Sequence, residues 1–184
     1  MATIFPGTKI EVTVLQKGAS KQLFDGVFAA GGITLSQISA MTGLEPHVIQ
    51  NWVKRGFLTS PVKRLYSREQ FARIIIINML REALQIDKIC GLLHVIEGEV
   101  NDPDDDLISN EELYHRYVDM ISEEGVDILN ETSVIRAAEE AASGFTEPAA
   151  GAKLKLRRLL RVMFYAHFSS LLREKAGETL ATLQ

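Results

Sequence analysis

Cysteine is almost missing from this chain. Cys90 is the only one in 184 residues, so no internal disulfide forms and stability must come from packing, as suits a reducing cytoplasm. Long apolar runs are missing too. The longest strongly apolar uncharged stretch near the end, Val162–Leu172, spans 11 residues between Arg161 and Arg173, whereas a membrane-spanning helix needs roughly 20. Met1–Gly7 carries no basic start and no apolar run follows it, so no signal peptide is expected. These absences predict a cytoplasmic protein with no membrane partner. Catalytic signatures are also lacking: there is no G-x-S-x-G, no Gly-Lys-Ser/Thr phosphate loop and no H-E-x-x-H. The histidines at 47, 94, 115 and 167 are scattered without evident carboxylate partners. No enzyme, no cofactor and no metal is expected.

What is present is an ordinary globular composition, 46% hydrophobic and 24% charged. The net charge of −4 hides a strong partition along the chain. Residues 34–96 hold 8 Lys/Arg against 4 Asp/Glu, residues 97–147 hold 2 against 16, and residues 148–184 hold 7 against 2. A basic reading head on an acidic body fits this pattern, and so does an acidic segment that serves only solubility.

The alternation of Ile10, Val12 and Val14 predicts a strand or extended arm over residues 8–15. Ser20–Ala30 reads as a helix that stops at Gly31-Gly32. Thr34 caps a short helix over Leu35–Met41, Thr42-Gly43-Leu44 makes a tight turn, and Glu45-Pro46 opens a second helix to about Arg55, ended by Gly56. That spacing is a helix-turn-helix. Ser67 then caps a helix over Arg68–Ala83, apolar around most of its circumference and therefore central. A further helix runs from about Asp87 to Ile96. Beyond it come an acidic loop at Glu97–Asp106, a helix at Leu107–Glu124, a partly helical Val126–Ala142, a linker at Ser143–Ala152 and a long apolar helix at Arg157–Leu183.

This order resembles the MerR family, in which a helix-turn-helix and a small wing are braced by two helices. The residues that carry the likeness are Thr34-Leu35-Ser36-Gln37-Ile38, Thr42-Gly43-Leu44, Ile49, Trp52, Gly56-Phe57-Leu58, Arg64, Tyr66-Ser67, Leu80-Arg81, Ile86 and Ile89. Within it, Ile49–Gly56 and Arg73–Arg81 are most similar to an uncharacterised bacterial group, catalogued as a domain of unknown function, with a MerR-like head. The likeness covers about residues 20–120. It implies a mainly α fold: a MerR-like winged helix-turn-helix head with a short wing, followed by an all-helical C-terminal region. It also implies DNA binding and a homodimer formed through the C-terminal helix. Two features depart from the pattern. Nine residues separate Gly56 from Tyr66, fewer than a usual wing, and Gln50-Asn51-Trp52 stands where an arginine–aromatic–aromatic run is common.

The expected organisation is an N-terminal arm and helix (1–33), a DNA-binding head (34–96) and an acidic helical region with a long last helix (97–184). On the second head helix, His47, Gln50, Asn51 and Lys54 share one face at i, i+3, i+4 and i+7. Gln and Asn pair with adenine, and His and Lys reach guanine acceptors or phosphate. Lys54, Arg55, Lys63, Arg64 and Tyr66 suit phosphate contacts, with Arg68 and Arg73 as extensions; Arg64 and Arg68 also have Glu69 and the acidic segment as alternative partners. Trp52 is read as core rather than base-stacking.

Cys90 and His94 have metal-ligand spacing on a helix, but their apolar neighbours favour a buried structural thiol. An EF-hand loop opening at Asp102 needs glycine where Leu107 stands and glutamate where Leu113 stands, so a solvated acidic loop is the reading there. On the last helix, Leu160, Met163, Phe164, His167, Phe168 and Leu171 form a wide apolar face. Two uses stand open for it: dimerisation, or packing back onto residues 107–142. The overall expectation is a homodimeric regulator on double-stranded DNA. The alternative is a protein–protein adaptor, or a protein sensing a small effector, that keeps the fold without reading DNA.

Overall fold

A computed structural model describes residues 3–96 and 107–183. The acidic loop with Asp102 lies outside the described residues. The order is β1 (Thr3–Ile4), β2 (Glu11–Val12), α1 (Ala19–Val27), β3 (Ile33–Thr34), α2 (Leu35–Thr42), α3 (Pro46–Lys54), β4 (Leu65–Tyr66), α4 (Arg68–Leu80), α5 (Ile86–His94), α6 (Asn110–Ser122), α7 (Glu131–Ala141) and α8 (Ala152–Ala181). The protein is mainly helical, and among the described residues the sheets are two short antiparallel pairs, β1–β2 and β3–β4. No helix among the described residues is long and apolar enough to cross a membrane.

Helix α4 is the axis of the molecule. Ile74, Ile75, Ile76 and Ile77 are consecutive and all fully buried, which a helix achieves only when neighbours cover its whole circumference. Helices α2, α5, α6 and α8 all pack on it. The N-terminal arm closes a further face. Gly7 lies so near Ile75 that a Cβ there would collide with the Ile75 carbonyl, while Asn78 Nδ2 donates to Gly7 O (2.9 Å) and Thr42 O (3.2 Å). Tyr114 Oη donates to Pro6 O at 2.9 Å. One hydrophobic cluster therefore runs from Phe5 to Ala166, across residues 33 and 96 without a break.

Two corrections follow. The strand expected over 8–15 shrinks to Glu11–Val12, paired with Thr3–Ile4. Alternation there is not matched by one-sided burial, since Val14 is 63% exposed. The last helix starts at Ala152, earlier than Arg157, with Gly151 in the left-handed conformation ahead of it. Its face is largely used inside the chain: Leu160, Met163 and Phe164 are fully buried where α8 packs on α6 and α7. His167 Nδ1 lies 2.7 Å from Tyr117 Oη, and Phe168 stacks on Phe164. Of the six residues assigned to a dimer seam, Leu171 alone is exposed, and the chain beyond it, through the end of α8 to Leu183, is exposed throughout.

Candidate nucleic-acid interface

Helices α2 and α3 are set by their ends. Thr34 and Gln37 form a reciprocal capping box on α2. The turn is closed by Thr42, whose hydroxyl donates to Ile38 O (2.8 Å) and accepts from Leu44 N (3.2 Å), with Gly43 at φ 73°. Pro46 sits in the first turn of α3. Ile49 and Trp52 are buried beneath α3, which confirms Trp52 as core. That anchoring turns His47, Gln50, Asn51 and Lys54 outward, and all four are exposed.

After Gly56 the chain forms a tight hairpin. Val62 and Leu65 exchange both backbone hydrogen bonds (3.1 and 2.9 Å), leaving Lys63 (φ 50°) and Arg64 (φ 67°) as the two turn residues. Two central residues with positive φ are the signature of a type I′ turn. The return strand, β4, pairs Tyr66 with Ile33 and Leu65 with Thr34, so the hairpin is fastened to the start of α2.

Between α2, α3 and the hairpin lies an open groove of about 660 Å³ lined by Ser36, Gln50, Val53, Lys54, Pro61 and Arg64, among others. It brings Gln50, Lys54 and Arg64 together; His47 and Asn51 are not among its lining residues. Lys63 shares the hairpin tip with Arg64. Among the described residues, no carboxylate stands at ion-pair distance from Lys54, Lys63 or Arg64. Ser36, Val53 and Pro61 were not read as site residues, because only the hairpin's fold brings Pro61 back over α2 and α3.

The other cations are drawn elsewhere. Arg55 lies 4.4 Å over the Phe57 ring and 3.7 Å from Asp87 on α5. Arg68 pairs with Glu111 (2.8 Å) and Asp25 (2.9 Å), so it ties α4 to α6 and α1, and Arg73 Nε donates to Phe57 O at 2.7 Å. Tyr66, expected to offer a hydroxyl to phosphate, is only 3% exposed, and burial raises its pKa. Its place opposite Ile33 in the ladder packs its ring into the core, from where it also lines the groove beside Gln50, Lys54 and Arg64. Cys90 is half-buried rather than buried, and His94 is exposed. Among the described residues no three potential ligands of the His, Cys, Asp and Glu types converge.

Together these features define a mainly helical protein with a short helix pair, a basic two-residue hairpin and a bracing central helix. The family model for a domain of unknown function (DUF1836) matches residues 25–117, 93 of the 184, and the chain belongs to that family. No curated protein and no solved structure matches it. The matched stretch runs from within α1 into α6, so the family unit includes the α4–α6 contact and leaves out α7 and α8.

Proposed function

We propose that this chain is a sequence-specific DNA-binding transcriptional regulator, with a MerR-like helix-turn-helix in which α3 enters the major groove and the hairpin acts as the wing. The observation that carries the reading is the convergence of Gln50, Lys54 and Arg64 on one open groove, with Lys63 beside them at the hairpin tip. An amide able to pair with adenine next to cations able to meet phosphate is the chemistry of a positioned reading head. Asn51 and His47 extend the same face along the duplex. Two copies on an inverted repeat complete the proposal, and the exposed Leu171, Leu172, Leu180 and Leu183 at the end of α8 are the surface left for pairing.

Selection from a random duplex pool, followed by anisotropy titrations at several salt concentrations, tests this. A selected site should bind at least about 1,000-fold tighter than unrelated duplex. Lys54→Ala should weaken every duplex and lower the salt slope by about 1. Asn51→Ala should relax preference at one base step. No sequence preference, or binding indifferent to salt, would overturn the reading. A defined protein partner captured by the α3 face without any DNA footprint would favour the adaptor alternative.

A further inference from the structure

We propose that Gln70 is the positioning residue that holds the wing in its DNA-facing conformation; this rests on the DNA-binding reading above. Its place in sequence marks it only as the third residue of α4, where Gln or Glu closes a capping box with Ser67. It does close that box: Oε1 accepts from Ser67 N at 2.9 Å, and Ser67 Oγ accepts from Gln70 N at 3.2 Å. The other end of the same side chain does something a cap does not need. Nε2 donates to Thr59 O (3.0 Å), Thr59 Oγ1 (2.9 Å) and Ser60 O (3.1 Å). Thr59 and Ser60 precede the hairpin tip and Ser67 follows it. One amide therefore bridges both strands across the hairpin's base.

The bridge matters because the outgoing strand is otherwise held only at its ends, by the buried Leu58 and by the Val62–Leu65 pair. Among the described residues, no backbone–backbone hydrogen bond engages Thr59, Ser60 or Pro61; the return strand alone has the ladder to β3. At the tip, Lys63 and Arg64 both sit at positive φ, a conformation that non-glycine residues leave readily unless their surroundings hold them. The chemistry also separates the two roles of position 70. A glutamate would serve the capping box equally well, and its charge would favour the helix N-terminus. It would lose both N–H donors and set a carboxylate oxygen against the carbonyls of Thr59 and Ser60, with the Thr59 hydroxyl as its one remaining partner there. Only the amide satisfies the cap and the hairpin at once.

Gln70→Glu is therefore the decisive variant, with the neutral Gln70→Met as a control for added charge near DNA. Hydrogen exchange of the free full-length protein should show the hydrogen-bonded amides of Val62 and Leu65 exchanging about 10-fold faster in both variants, with α3 unchanged. Tm of Gln70→Glu should match the parent. If Lys63 and Arg64 lose their phosphate contacts, the salt slope of binding should fall by roughly 1.8, while the base preference selected by the parent is kept. Unchanged exchange at Val62 and Leu65, or a lowered Tm with faster exchange throughout α4, would overturn the proposal. Faster hairpin exchange in a protein whose parent form binds no duplex would overturn the DNA reading and leave Gln70 as a holder of the hairpin alone.

Discussion

The cations of the α3–hairpin face and four arginines of the α6–α8 body have different fates. In the body each of four arginines leans on a carboxylate: Arg116 on Glu112 (2.7 Å), Arg157 on Glu139 (3.4 Å), Arg161 on Glu131 (2.7 Å) and Arg173 on Glu82 (2.8 Å). Two of these pairs join α8 to α7, so a basic segment and part of the acidic segment fold onto one another. On the head face, Lys54, Lys63 and Arg64 stand without such partners among the described residues, as do Arg136, Lys153, Lys155 and Arg158 in the body; what sets the head face apart is that Lys54 and Arg64 meet Gln50 on one groove. The segment charges alone do not make this distinction. A charge available to a ligand is one the fold has left unpaired, and pairing is decided in space rather than along the chain.

Acid should separate the two regions most. His167 is half-buried against Tyr117, and its loss of solvent pushes its pKa down to about 4; burial also lowers that of His115, which sits between Ser20 and Glu111. Both are neutral in the folded protein near pH 7, so their folding free energy is unaffected above the unfolded value. As pH falls below about 6.5 the unfolded chain takes up the proton and the native chain does not, so stability is lost down to the folded pKa. For His167 this amounts to about 3 kcal/mol between pH 6.5 and 4. Urea unfolding at steps across that window should show a steeper fall for the parent than for His167→Gln. Equal slopes would remove His167 as the cause.

Next in size is a test of the body's paired charge. The Arg116 guanidinium also donates to Ala141 O (2.7 Å) and Ser143 O (3.1 Å), closing the end of α7. Arg116→Leu should cost about 2 kcal/mol by loss of charged hydrogen bonds to otherwise unmet carbonyls, and should leave duplex affinity unchanged. A loss of DNA binding larger than the loss of stability would break the contrast between the two regions.

Much of the head was readable before the structure because its signals are local. Thr34, Gly43, Pro46, Gly56 and Ser67 each act within a turn or two, and all mark real boundaries. The run Ile74–Ile77 likewise announced a central helix. What was not readable depends on residues far apart. Arg173 meets Glu82 across 91 positions and Arg68 meets Asp25 across 43, so nothing in their own neighbourhoods names these partners; the acidic segment was open as a partner for Arg68, and Glu111 supplies it. Tyr66 next to Arg64 looks like an exposed hydroxyl until the ladder to Ile33 buries it, leaving it only as part of the groove's lining. For the same reason the apolar face of α8 suggested a dimer seam as readily as a core: periodicity shows that a face is covered, not by which chain.

The smallest effect is the most discriminating, because stability and binding should move in opposite directions. A type I′ turn favours asparagine then glycine, whereas here it holds Lys63 and Arg64 at φ 50° and 67°. A non-glycine residue in this region costs roughly 1–2 kcal/mol, partly offset when glycine's greater freedom in the unfolded chain is counted. Replacing the pair, Lys63→Asn with Arg64→Gly, should therefore raise stability by about 1 kcal/mol. If the hairpin is the wing, the same change should weaken duplex binding by about 10-fold or more and flatten its salt dependence. Strain kept at two basic residues, when a relaxed turn is two substitutions away, is what a hairpin shaped for a polyanion would show. A variant that gains stability and binds duplex as tightly as the parent would make the tip a tolerated irregularity, and the contrast between free and paired charge would rest on Lys54 alone.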